Sequence, residues 1–233
     1  MDLGILSGKP LMRKLCRFLL ILVTVSLLSG IPVKNARAVE DDFQLWNSLS
    51  FTHPFKDSKF SLYWVAENRL QNDASDFLFF YTAIGFFYSP YSWFRLGPFY
   101  RVQKRAGQPV QQVPYPEFDF FASLGPIDIF DRNLFQFFIS SDDFTFQYRN
   151  LFQISHVFKL GSLQLIPFAF DEVFFGSGGS PLSQNRVGGG NGFGFLNGKV
   201  IFDLYYLLQT VHVDSVSMFE NRHVLGTRVK LRF

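Results

Sequence analysis

Cysteine is all but missing: Cys16 is the only one in 233 residues. It lies in a segment expected to be removed, so the remaining chain has no disulfide framework, no thiol chemistry and no cysteine-ligated metal. Histidine is scarce too, with only His53, His156, His212 and His223. Ser155 and His156 are neighbours in an extended segment, so their side chains point to opposite faces and do not form a dyad. His212, Asp214 and Ser215 are the one local cluster with the residue types of a nucleophilic site. His212 and His223 could meet across a hairpin, but two histidines without a third ligand do not make a metal centre. The glycine-rich run 188–194 has no following Lys-Ser/Thr and so is no phosphate loop. No stretch beyond residue 38 reaches the roughly 18 consecutive apolar residues of a membrane helix. No catalytic residue, no metal and no cofactor is expected.

The N-terminus has the three-part layout of a secretory signal peptide. Arg13, Lys14 and Arg17 precede an apolar run from Phe18 to Leu28, and Ala36-Arg37-Ala38 is a small-x-small cleavage site. Residues 1–38 are read as the leader, with Met12 the natural initiator, and 39–233 as a single domain. The leader holds six of the 22 basic residues and one of the 19 acidic ones, leaving 16 against 18. The basic character therefore belongs to the leader, and nucleic-acid binding loses its electrostatic basis.

What the chain does have is phenylalanine, 32 residues of it. A soluble domain of this size has too little interior for so many rings, whereas a membrane barrel sets them on its outer wall. Period-two alternation recurs, bounded by turn residues. It predicts strands at 43–53, 59–70, 77–89, 93–103, 116–124, 129–139, 144–156, 162–175, 184–196, 199–211 and 221–233. In 59–70, Phe60, Leu62, Trp64, Ala66 and Leu70 oppose Ser61, Glu67 and Arg69. In 199–211, Phe202, Leu204 and Tyr206 oppose Asp203, Tyr205 and Gln209. Segment 77–89 is apolar on both faces and its orientation is not readable.

Connections near 196–198, 158–161, 125–128 and 89–92 read as short; those near 212–220, 176–183, 104–115 and 71–76 read as longer, as periplasmic turns and external loops do. Eleven strands conflict with the even number of bacterial single-chain barrels. Either 43–53 does not span fully, or a strand is split or missed, so the expectation is an all-β, antiparallel up-and-down transmembrane barrel of 10–12 strands.

The last strand carries Val229, Leu231 and the terminal Phe233 on one side and Arg222, Arg228, Lys230 and Arg232 on the other. The terminal apolar set has the form of an outer-membrane assembly signal. Charges on the lipid face cost about 2–4 kcal/mol each at mid-depth. The charged set Glu67, Arg69, Arg95, Arg101, Glu117, Asp119, Arg132, Arg149, Glu172, Arg186, Asp203, Arg222 and Arg228 is therefore assigned to the lumen, where opposite charges on neighbouring strands should pair across it. Trp46, Trp64, Trp93, Tyr63, Tyr88, Tyr91, Tyr100 and Tyr148 are assigned to aromatic girdles at the membrane surfaces, with a sugar- or ligand-stacking surface as the alternative.

Several short motifs carry a family likeness: Trp46, Glu67-Asn68-Arg69, Gly97-Pro98-Phe99-Tyr100-Arg101, Tyr148-Arg149, Glu172, Asn185-Arg186 with Gly188, and the closing strand to Phe233. Together they resemble the bacterial domain-of-unknown-function family 2490, over essentially the whole chain after the leader. The pattern doubles the arginine after Arg132 and Arg149, where this chain has Asn133 and Asn150. The resemblance implies an exported, barrel-like protein and no particular activity. The expected role is non-enzymatic: structural, or a narrow passive channel with a charged, partly plugged lumen, in the bacterial outer membrane. Its partners would be the bilayer, the export machinery and the barrel-assembly machinery. A lipid-modifying outer-membrane enzyme and a soluble periplasmic ligand-binding barrel are the alternatives.

Overall fold

The computed structural model describes residues 42–139, 144–176, 182–213 and 218–233. The leader expected over 1–38, Cys16, Asp214 and Ser215 lie outside the described residues. Twelve strand segments follow one another: β1 (Asp42–Pro54), β2 (Phe60–Gln71), β3 (Asp76–Tyr91), β4 (Phe94–Arg105), β5 (Val110–Leu124), β6 (Ile127–Ile139), β7 (Phe144–Ser155), β8 (Phe158–Leu160), β9 (Leu163–Gly176), β10 (Leu182–Phe195), β11 (Val200–Val213) and β12 (Met218–Arg232). A short 3₁₀ turn, Leu196–Gly198, joins β10 to β11. No helix among the described residues is long and apolar enough to cross a membrane, which says nothing about crossing by strands.

Each strand pairs with its chain neighbours, and β1 also pairs with β12, so the sheet closes on itself. The segment β8 is not a separate stave. The β7 ladder on β9 runs to Ser155 opposite Phe168, and β8 resumes it at Phe158 opposite Leu165. The backbone N–H of His156 donates to the Pro167 carbonyl (3.2 Å) in the gap between them. The wall is thus an eleven-stranded barrel, the number counted from the alternation.

An odd ring cannot alternate direction all the way round, so one pair must run parallel. That pair is β1 with β12, in register from Asp42 opposite Arg222 to Thr52 opposite Arg232. Neither explanation offered for the odd count was needed: β1 is a full strand, and none was split or lost. The expectation of a wholly antiparallel wall is corrected at this seam. Phe233 N–H donates to the Thr52 carbonyl (3.0 Å), and His53 Nδ1 contacts the Phe233 carbonyl (2.5 Å). Val229 and Leu231 lie opposite Leu49 and Phe51 along the same seam.

The expected lengths of the longer connections are corrected where they are described. Residues 106–109 join β4 to β5, not 104–115, and 72–75 join β2 to β3, while 92–93 and 125–126 are shorter; the connections expected near 176–183 and 212–220 fall partly outside the described residues. Val110–Tyr115, expected as loop, is strand, and neither Pro114 nor Pro116 ends it. Both sit inside β5, with Pro116 opposite Pro98 and Pro114 opposite Tyr100 on β4. Lacking N–H groups, they interrupt the ladder to β6 between Gln112 and Glu117 without ending the strand.

Sidedness follows the alternation. Outward on the wall stand Phe80, Ile84, Phe86, Tyr100, Val102, Phe152, Phe202, Leu204, Tyr206 and Leu225, all exposed. The unreadable segment in β3 resolves by packing. Phe79, Ala83 and Phe87 are buried, while Phe80, Ile84, Phe86 and Tyr88 are exposed. Two apolar clusters occupy the barrel interior: Trp46, Phe168, Tyr205, Leu207 and Val224 on one side, and Phe87, Phe99, Val113, Tyr115 and Leu134 on the other.

Glycines make room for these rings. Tyr205 faces Gly226 across β11–β12, and a Cβ on Gly226 would come within 2.0 Å of Tyr205 Cζ. A Cβ on Gly85 would meet the Phe99 ring at 2.3 Å in the same manner.

Candidate functional site

Among the described residues charge is concentrated in the lumen, and cross-strand register builds the network there. Asp119 on β5 lies opposite Arg95 on β4 and opposite Arg132 on β6. Its Oδ2 accepts from Arg95 Nε (2.7 Å), with Nη2 at 2.6 Å, and its Oδ1 accepts from Arg132 Nε (3.3 Å). Glu117, two residues along on the same face, brings Oε1 within 2.8 Å of Arg132 Nε. Asp203 on β11 lies opposite Arg228 on β12 and accepts from its Nε (2.8 Å), with Lys230 Nζ at 2.7 Å. These groups occupy the half of the lumen nearer Phe233.

The half nearer Asp42 holds a second set. Glu172 on β9 accepts from Arg149 Nε on β7 (2.5 Å) and from Arg186 Nη1 on β10 (2.9 Å). With its amide oxygen facing the guanidinium, Gln184 accepts from Arg186 Nε (2.6 Å) and Nη2 (2.8 Å). Glu67 pairs with Arg69 on its own strand through Nη2 (2.5 Å) and Nε (2.6 Å). Arg222 pairs with Glu220 nearer the rim (3.1 Å).

All thirteen residues assigned to the lumen face inward, and twelve of them stand in ion pairs. The exception is Arg101. Apart from Glu67–Arg69 and Glu220–Arg222, which share a strand, the partners stand on neighbouring strands, side by side on the wall rather than across the lumen. Directly opposed residues on neighbouring strands have Cβ atoms about 5 Å apart, close enough for a planar guanidinium to reach a carboxylate. The middle of the barrel is meanwhile filled by rings.

Those rings are part of the network. The Arg69 guanidinium lies 3.7 Å from the Trp46 ring centroid, and Arg186 lies 4.7 Å from the same ring. Arg95 stands 3.8 Å over Phe87. Trp46 Nε1 donates to Gln44 (3.0 Å), whose amide donates to Asp42 (2.6 Å). Trp46 and Tyr63 are therefore lumen residues, and their assignment to a girdle is corrected. Parity with Gln44 and Glu67 was the signal that places them inside. Tyr91, Trp93, Phe94 and Phe120 do stack together near one rim. Sequence reasoning also left out Lys230 as the second partner of Asp203.

One stretch of the outer wall departs from the apolar rule. Asp131 accepts from Asn133 (2.5 Å) and Asn150 (3.2 Å), and Tyr148 donates to Asn133 (2.5 Å). Two strands on, the exposed Asp171 accepts from Asn185 (2.7 Å). The two asparagines standing where the family pattern has a second arginine thus serve an outward carboxylate.

A family model described as a protein of unknown function, DUF2490, matches residues 43–220. The chain belongs to the DUF2490 family. The match extends from the start of β1 into β12, so the lumen network of this DUF2490 barrel lies almost wholly within it. Comparison with curated proteins finds no match. Among the described residues, no group of three or more His, Cys, Asp or Glu is placed to hold a metal. The chemistry available to the DUF2490 lumen is that of fixed, mostly cationic groups among aromatic faces.

Proposed function

We propose that this DUF2490 protein is an outer-membrane β-barrel with a plugged, ion-paired interior, serving a structural role. The observation that carries this reading is the inverted placement of polarity. Ile84 and Tyr206 on the outer wall are 49% and 48% exposed, while Asp119, Asp203 and Glu172 inside are 0%, 1% and 2% exposed. A wall of this kind suits hydrocarbon, and its charges are satisfied where lipid does not reach. The leader read over 1–38 and the apolar ending at Phe233 support export and assembly into the outer membrane. Its partners on this reading are the bilayer, the export machinery and the barrel-assembly machinery. Asp131 and Asp171 mark a stretch of wall that lipid does not suit.

The test is electrophoresis of cell fractions without and with boiling. The protein is expected in the membrane fraction, with a band whose mobility changes on boiling. Recovery in the soluble periplasm would reject the membrane and leave the ligand-binding barrel.

The second reading is a narrow passive channel, favoured by the density of charge in the lumen. Burial argues for the plug: Gln44, Val113, Gln136 and Val224 all face inward and are at most 2% exposed. Planar-bilayer recordings of the wild-type protein are expected to show no steady conductance, and Arg149→Ala is expected to lower thermal stability. A steady, ion-selective conductance altered by Arg149→Ala would establish the channel instead.

A further inference from the structure

Arg101 stands apart from every other buried arginine. It is 7% exposed and faces the lumen from β4, yet among the described residues no carboxylate comes within ion-pairing distance. Its Nε has no hydrogen-bond acceptor. The rings of Tyr81, Phe138 and Tyr115 surround the guanidinium with centroids at 5.4, 5.6 and 5.9 Å. Those distances lie near the outer limit of about 6 Å for a cation–π contact, so the rings leave most of the charge uncompensated. A buried, unpaired cation is costly.

The polar atoms nearby share the deficiency. Gln136 is two residues along β6 from Phe138, on the same inward face. It is 2% exposed, and its Nε2 has no acceptor. Gln103, next inward on β4, donates to Gln111 (2.7 Å) but leaves its Oε1 unpaired. The half of the lumen nearer Asp42 is also short of negative charge. Among the described residues, Glu67 pairs with Arg69 and Glu172 with Arg149 and Arg186, which leaves neither for Arg101. Two unmet donors, an aromatic surround and a local cation excess describe a receptor for a negative ion.

We propose that the lumen at Arg101 binds a compact anion, a halide or a small carboxylate, held by the Arg101 guanidinium and the Gln136 amide nitrogen. The site belongs to the barrel interior and holds whether the outer wall meets lipid or water, so it stands or falls separately from the membrane reading.

Thermal unfolding of the purified protein tests it, in sodium chloride against sodium gluconate at matched ionic strength, with gluconate as the anion too bulky for so filled a lumen. Binding to the folded state alone should raise the wild-type midpoint by about 3–5 °C for each tenfold increase in chloride above the dissociation constant. Arg101→Gln should abolish that dependence while leaving the gluconate midpoint unchanged or higher. Sodium acetate then separates the two sources: a matching rise admits carboxylates, and no rise restricts the site to halides. Gln136→Leu, should Arg101→Gln fail to fold, is expected to weaken the chloride dependence. A second readout is the ³⁵Cl line width of chloride, broadened by the wild-type protein and not by either variant. Equal midpoints for wild type in chloride and gluconate, or an undiminished chloride effect in Arg101→Gln, would overturn the proposal.

Discussion

Glu172→Ala is expected to destabilise the barrel by about 3–5 kcal/mol, the usual penalty for breaking a buried ion pair from one side. Glu172 is 2% exposed and is the only carboxylate paired with either Arg149 or Arg186 among the described residues. Its removal leaves two guanidiniums facing each other, with the Phe174 ring against both. The temperature at which the unboiled band loses its compact mobility should fall by about 10 °C, taking roughly 2–4 °C per kcal/mol for a chain of this size. The triple replacement Arg149→Met, Glu172→Leu, Arg186→Met should restore most of the loss. An apolar isostere of a buried triad removes the desolvation cost together with the attraction. If Glu172→Ala matches wild type, water reaches these arginines freely and the interior is not plugged.

The second large effect is steric. Gly226→Val should cost about 3 kcal/mol or more, because its Cβ would fall where the Tyr205 ring lies. Tyr205→Ala removes the obstruction, so Gly226→Val should cost far less on that background. The coupling between the two changes, read from a double-mutant cycle of unfolding midpoints, is expected at the upper end of the 0.5–3 kcal/mol range for residues in contact. Additive costs would mean that the ring is free to move aside.

The alternation displayed most of the architecture in advance, because a one-residue slip would send Glu67, Asp203 or Arg149 to the opposite face of the wall. The same rule counted eleven strands and found the inward charges. It failed where its premise fails. Strand β3 carries aromatic residues on both faces, since the interior needs rings as well as ions, so Phe79 and Phe80 look alike in the sequence. The expected strand began only at Pro116 and missed Val110–Tyr115, where Pro114 stands, a residue type that usually argues against an inner strand. Trp46 looked like a surface girdle residue because its stacking partners, Arg69 and Arg186, come from β2 and β10. Arg101 looked like any other lumen arginine, because the want of a carboxylate beside it is a property of three dimensions.

An odd number of staves has a mechanical consequence. In an even ring the start of the first strand and the end of the last would share a mouth, and a short peptide could splice them into a circular permutant. Here Asp42 and Arg232 open onto opposite mouths. The ten steps along β1 from Asp42 to Thr52, which lies opposite Arg232, at roughly 3.3 Å each put about 33 Å between them. A splice would have to thread the filled interior or run down the outer wall, so rejoining these two ends and reopening the chain at another turn is closed to this barrel.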